Sequence, residues 1–133
     1  MDLGISGLTA IICASSRGLG RGCAESLARN GVNVVINGRD SDALDETTSY
    51  IKENSEVKVT PVLADLCTTE GQYTLLSACP NPDILINNNG GPPFRDYREI
   101  KRNDMIEGLI MNMITPIELI SAVIDGMASR KFG

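Results

Sequence analysis

Four short apolar runs, Leu8–Cys13, Val32–Asn37, Val57–Leu63 and Ile84–Asn88, alternate along this chain with longer segments of helical period. That rhythm admits few folds. Strands of about five or six residues rich in Val, Ile and Leu, each followed by a helix, are βαβ units, and such units make a parallel sheet covered on both faces. The 133 residues are one domain's worth of chain. The reading is therefore an α/β fold built on a parallel sheet. Pro61 cannot donate to a sheet ladder, so the third strand belongs at or near an edge.

The intervening segments carry helix signals of their own. Leu19, Cys23 and Leu27 repeat every four residues and Gly31 follows as a stop. The second helix starts near Asp40 or Ser41, with Asp40 as its cap and Leu44, Thr47 and Ile51 on one face. The third opens at Thr69, with Gln72 at capping-box spacing. The fourth opens at Asp104 with Glu107 three residues on, and its period persists to about Arg130. That helix is apolar on two sides, Met105, Leu109, Met113 and Ile120 on one and Ile106, Ile110, Ile114 and Ile117 on the other, so one side faces the sheet and the other needs further chain or a second subunit. The one long loop runs from Gly90 to Asn103, where Pro92 and Pro93 forbid helix.

Composition narrows the function classes. A formal net charge of -5 argues against a nucleic-acid partner but leaves room for one local anion site. The four cysteines lack C-x-x-C spacing and the chain has no histidine, so no metal site is expected and the thiols read as buried and reduced. The N-terminal apolar run is short and has no basic stretch before it, so neither a signal peptide nor a membrane span is expected, and the cytoplasm is the default location.

The stretch "CASSRGLGRG", Cys13 to Gly22, falls at the first strand-to-helix turn. Small residues there let backbone amides at a helix N-terminus meet a phosphate oxygen. A plain glycine-capped turn explains the same glycines equally well. A Walker-type loop is excluded, because Gly18-Leu19-Gly20-Arg21 stands where Gly-Lys-Ser/Thr is required.

The spacing resembles the short-chain dehydrogenase/reductase family, whose turn reads Thr-Gly-x-x-x-Gly-x-Gly; here Cys13, Ala14, Gly18 and Gly20 occupy those places. Ala14 replaces the first glycine, and alanine is small enough for a negative-φ turn. The resemblance extends to "ADL", where Asp65 takes the place of the acceptor for the adenine amine and Leu66 that of the residue packed on the ring. On its residues alone Asp65 equally starts the turn before the third helix. "NNNG", Asn87 to Gly90, resembles the family's Asn-Asn-Ala-Gly, with Asn89 in the alanine place. "MNMITPIEL" resembles the segment holding the family's catalytic asparagine, which maps onto Asn112. Pro116, four residues on, denies the Asn112 carbonyl its helical donor, which either frees that carbonyl for the proton relay the resemblance implies or kinks the helix around the sheet.

What the resemblance implies is a nicotinamide-dependent oxidoreductase acting on a small carbonyl or alcohol, nearest to 3-oxoacyl-[acyl-carrier-protein] reductase-like members. The cofactor set is Ala14, Ser16, Arg17, Gly18, Leu19, Gly20, Arg39, Asp65, Leu66, Asn88, Asn89 and Gly90, with Asn112 catalytic. An NAD site presents an acid at the end of the second strand. Asn37 stands there instead, and Arg39 with Arg17 suits a 2′-phosphate, so NADP(H) is preferred over NAD(H), with Asp40 the residue that speaks for NAD. The fold the resemblance implies is a Rossmann-type doubly wound parallel sheet with strand order 3-2-1-4, ending after the fourth strand and fourth helix; the family's catalytic serine and Tyr-x-x-x-Lys pair are not expected in residues 1–133, which read as an incomplete dinucleotide-binding domain, inactive alone. Its open fourth strand and last helix are expected to pair with another copy or with the missing half. A non-catalytic dinucleotide sensor or scaffold is the alternative. A response-regulator receiver is disfavoured, since the first strand ends in Cys13-Ala14-Ser15 where acidic magnesium ligands belong.

Overall fold

The computed structural model describes residues 2–92 and 94–133. Pro93, one of the two loop prolines, lies outside them. Strands β1 (Thr9–Ile12), β2 (Asn33–Gly38), β3 (Val59–Leu63) and β4 (Ile84–Ile86) form a parallel sheet in the order β3-β2-β1-β4, as the sequence implied. Pro61 sits on the edge strand β3, opposite Ile36. β4 is shorter than its apolar run because the asparagines after Ile86 leave the ladder.

Side chains alternate across the sheet. Ala10, Ile12, Val34 and Ile36 point to one face and pack with Ala24 and Ala28 of α1 (Gly18–Arg29) and Leu44 and Ile51 of α2 (Ser41–Asn54). Ile11, Cys13, Val35 and Val62 point to the other, against Leu75 of α3 (Thr69–Ala78) and Leu119 of the last helix. Burial on both faces is why the strands read as unbroken apolar runs.

Four expectations need correction. In α1 the buried stripe is Gly20, Ala24 and Ala28, while Leu19 is 84% exposed and Cys23 is exposed. At position 20 the cause is close approach, since a Cβ there would lie 2.3 Å from the Ala14 carbonyl oxygen; of the expected stripe only Leu27 packs, partly buried, against the core. The cap of α3 is Thr68, whose hydroxyl accepts from Gly71 N–H at 3.0 Å, one residue before the expected Thr69. Of the four thiols, Cys13 and Cys79 are buried, Cys67 is half-buried and Cys23 is exposed, and all are free.

The fourth correction concerns the last helix. α4 (Arg102–Leu109) begins two residues before Asp104, whose carboxylate accepts from Lys101 N–H at 2.9 Å. A wide turn with π-type hydrogen bonding (Ile110–Ile114) joins it to α5 (Thr115–Arg130). Neither expected stripe faces the sheet. Thr115, Leu119 and Val123 do, and Met105, Leu109, Met113, Ile117, Ile120 and Ile124 all remain exposed. Residues Arg102–Arg130 are long and apolar enough to cross a membrane by length and composition. In the fold, the Thr115–Leu119–Val123 stripe is buried, with Leu119 in the core on the sheet.

Candidate functional site

The turn from β1 to α1 is held from three sides. Ser15, fully buried, donates its hydroxyl to the Ile12 carbonyl at 2.7 Å and accepts from Asn37 N–H at 2.9 Å, while its own N–H donates to the Asn37 carbonyl at 2.7 Å. Asn37 turns its amide inward: Oδ1 accepts from Ala14 N–H at 3.2 Å and Nδ2 donates to the carbonyls of Val62 and Ala64 at 3.1 and 3.0 Å. From β4, Asn88 Nδ2 donates to the Ala14 carbonyl at 3.1 Å. So Asn37, which stands where an NAD site presents its acid, ties three strand ends together from a nearly inaccessible position. Among the described residues no buried side-chain nitrogen or oxygen lacks a partner.

Ala14 departs from expectation. Its φ is 44°, in the left-handed region, rather than negative. A Cβ there is strained by about 1 kcal/mol relative to glycine. The neighbouring hydrogen bonds from Asn88 and to Asn37 hold the conformation against that strain. Gly18, φ 57°, meets the same demand with no Cβ.

Above this turn, at the C-terminal ends of β1, β2 and β3, lies a cleft of about 660 Å³. Ala14, Ser16, Arg17, Arg39, Asp65, Leu66, Asn89 and Gly90 line it, with Asn37, Gly38, Asp40 and Ala64. Eight of the thirteen predicted site residues thus meet in one place. Gly18 and Leu19 are exposed at the start of α1, and Gly20 is buried beneath the turn against Ala14 and Asn88. Asn88 braces the turn from behind. Asn112 is exposed in the wide turn, donating to the carbonyls of Gly108 at 3.3 Å and Gly90 at 3.5 Å. Leu66 belongs mainly to the core beside Ile11 and Leu75.

The helix ends around the cleft differ. α2 is capped by Asp40, whose Oδ1 accepts from Ala43 N–H at 3.1 Å, and α3 by Thr68. α1 has no side-chain cap, so its first N–H groups are left for water or an anion. Both arginines already have carboxylate neighbours: Arg17 lies 2.5 Å from Asp40 Oδ2, and Arg39 lies 3.8 Å from Asp65 Oδ2. The Ala43 N–H, with Arg17 beside it, holds the Asp40 carboxyl below its usual range. Asp65 does start the turn into α3, its Oδ1 accepting from Cys67 N–H at 3.0 Å. Burial pushes the Cys13 thiol up to about 11, and burial followed by the Asp65 charge raises that of Cys67, so neither is a thiolate near neutral pH.

Sequence reading overlooked Ser15 and the inward role of Asn37. Ser15 was legible only as a small turn residue, and an asparagine at the end of an apolar run was the available signal for Asn37. It also overlooked a Tyr-x-x-x-Lys spacing, contrary to the expectation that these residues contain none: Tyr97 and Lys101 have it. They lie on a short 3-10 turn (Tyr97–Glu99) and the extended Lys101 before α4, both exposed, so no common helix face brings them together.

A parallel α/β sheet with a cleft at its strand ends, an uncapped first helix and flanking arginines is a Rossmann-type arrangement, in which ligands bind outside the carboxyl ends of the strands. The family model for short chain dehydrogenase matches residues 8–133, and the chain belongs to that family. It is 32% identical to the uncharacterized oxidoreductase YvaG of Bacillus subtilis strain 168, covering all of this chain and 51% of that protein. It is 27% identical to the human very-long-chain 3-oxoacyl-CoA reductase, covering 93% of this chain and 42% of the relative. Among solved structures, L-sorbose reductase from Gluconobacter frateurii, complexed with NADPH and L-sorbose, superposes with a TM-score of 0.88 at 31% identity over 98% of this chain and 51% of that one. The chain thus spans about half the length of the relatives it matches.

Proposed function

We propose that residues 1–133 are the dinucleotide-binding part of an oxidoreductase that prefers NADP(H) over NAD(H) and acts on a small carbonyl or alcohol substrate, 3-oxoacyl thioesters among the candidates. The observation that carries this reading is the cleft itself, which joins an uncapped helix start to Arg17 and Arg39 with no acid at the end of β2. The residues fit the group. A side chain at position 38 would meet Ser16 Oγ at 2.8 Å, so an acid there would displace Ser16, and the two guanidiniums are the cations at that corner. When bound, the nicotinamide supplies hydride transfer.

In this reading Ala14, Ser16, Gly18, Leu19 and Gly20 shape the pyrophosphate turn, and Arg17 and Arg39 leave Asp40 and Asp65 to take a 2′-phosphate. Asp65, Leu66, Asn88, Asn89 and Gly90 border the adenosine and ribose, and Asn112 orders a water for proton movement. Residues 1–133 alone do not turn substrate over. The oxidoreductase is cytoplasmic and assembles as a homo-oligomer through the last helix and the open edge of β4. That edge fits the role: a mostly apolar groove of about 700 Å³ runs between β4 and α5, lined by Leu85, Ile120, Val123, Ile124 and Met127.

Calorimetric titration of this chain with NADPH and NADH tests the proposal. NADPH binding tighter by about tenfold, with the difference lost in Arg17→Ala plus Arg39→Ala, is the expected result. Equal affinity for both nucleotides overturns the preference, and binding of neither overturns the site within these residues.

A further inference from the structure

The wide turn at Ile110–Ile114 leaves the Met111 carbonyl without a donor from the helix backbone. In an α-helix the Met111 carbonyl accepts from Thr115 N–H, four residues on. Here Thr115 N–H donates to Ile110, five residues back. A π-type turn offers residue 116 as the next donor to Met111, and residue 116 is proline, which has no N–H. Both backbone routes to the Met111 oxygen are closed.

The missing donor comes from another element. Asn89 Nδ2, beyond the end of β4, donates to the Met111 carbonyl at 2.9 Å. One residue along each segment the contact is returned, with Asn112 Nδ2 donating to the Gly90 carbonyl at 3.5 Å. Asn89 also presents Oδ1 to Gly90 N–H at 3.1 Å, which fixes the plane of its own amide. The family pattern has alanine at this position, and a methyl group donates nothing.

We infer that Asn89 is a positioning residue: its side-chain amide replaces the backbone donor that Pro116 removes, holds the wide turn in shape and so sets the place of Asn112 relative to the cleft. The clasp stands on geometry alone, while its consequence for turnover rests on the role given to Asn112 under the proposed function. It also divides the three consecutive asparagines by task. Asn88 braces the first turn, Asn89 braces the last helix, and Asn87 faces the groove beside β4.

Amide hydrogen exchange by NMR on the chain itself tests this with Asn89→Ala, Pro116→Ala and the double variant, all without nucleotide. Asn89→Ala is expected to speed exchange across residues 110–117 by about tenfold or more, because a half-buried carbonyl loses its donor. In the Pro116→Ala background, where a backbone N–H is restored, the same change is expected to speed exchange by less than about threefold. Equal effects in the two backgrounds, or no effect of Asn89→Ala, overturn the inference. If Asn89→Ala alone does not fold, folding of the double variant upholds it and failure of both overturns it. Because the readout needs no cofactor, absence of NADPH binding would sink the proposed function and leave the clasp standing.

Discussion

Around the turn from β1 to α1, Ser15, Asn37 and Asn88 supply six of their own polar contacts to neighbouring strand ends, and the glycine and alanine faces of α1 sit directly on the sheet. At the opposite edge, β4 has one strand neighbour, and α5 covers it with a single stripe while Ile117, Ile120 and Ile124 remain about half exposed. The same sheet therefore has one corner determined by short-range polar geometry and one edge determined by apolar area alone. The first kind of region tolerates almost no change, because each group has one partner at one distance. The second tolerates many, because hydrophobic burial is non-directional and an exposed isoleucine has no partner to lose.

That contrast can be broken by substitution. Asn37→Leu keeps the volume but strands Ala14 N–H and two β3-end carbonyls, and is expected to destabilise the chain by about 3 kcal/mol or more, read as the shift of the urea midpoint; a change under about 1 kcal/mol would remove the corner's special status. Gly20→Ala drives a Cβ into the Ala14 carbonyl, a backbone atom that cannot swing aside, and should lose about 2 kcal/mol in the same experiment. Ala14→Gly should gain about 1 kcal/mol, since the left-handed φ no longer carries a Cβ. A loss there would mean that the alanine methyl packs more than the backbone strains.

Asp40 sharpens the comparison through pH. Its folded carboxyl titrates below the unfolded value, so its contribution is complete above the ordinary carboxylate range and is lost as pH falls through the lowered value. Asp40→Asn, a side chain that still caps α2, should flatten the acid limb of stability measured by circular dichroism between pH 5 and about 2. The smallest effect belongs to the open edge. Ile124→Ser should change the urea midpoint by no more than about 0.5 kcal/mol, yet abolish any concentration dependence in sedimentation velocity if that face joins two copies.

Much of this architecture was legible because parallel strands buried on both faces must be continuously apolar, while the strand order followed from the family resemblance. The cleft was legible for a different reason: Ala14, Arg17, Arg39, Asp65 and Asn89 all fall just after a strand, and in a parallel sheet those ends lie together. The helix faces were less legible. Leu19, Cys23 and Leu27 look like a core stripe by period, but the fully buried stripe is Gly20–Ala24–Ala28, with Gly20 pressed against the Ala14 carbonyl and Leu27 only partly buried. The two apolar sides of the last helix misled likewise, because a helix apolar nearly all round does not announce which stripe will be covered.

Left to itself, the amino-acid sequence determined the layer plan, the edge position of Pro61 and the placing of a glycine turn at a helix start, since these depend on local backbone limits and on the period of apolar residues. Tertiary structure alone decided which way each polar side chain turned. Asn37 inward, Arg17 toward Asp40 and Asn89 across to Met111 are choices made by donors and acceptors that lie 22 to 23 residues from their partners, and hydrogen bonding, unlike burial, depends on direction as well as on area.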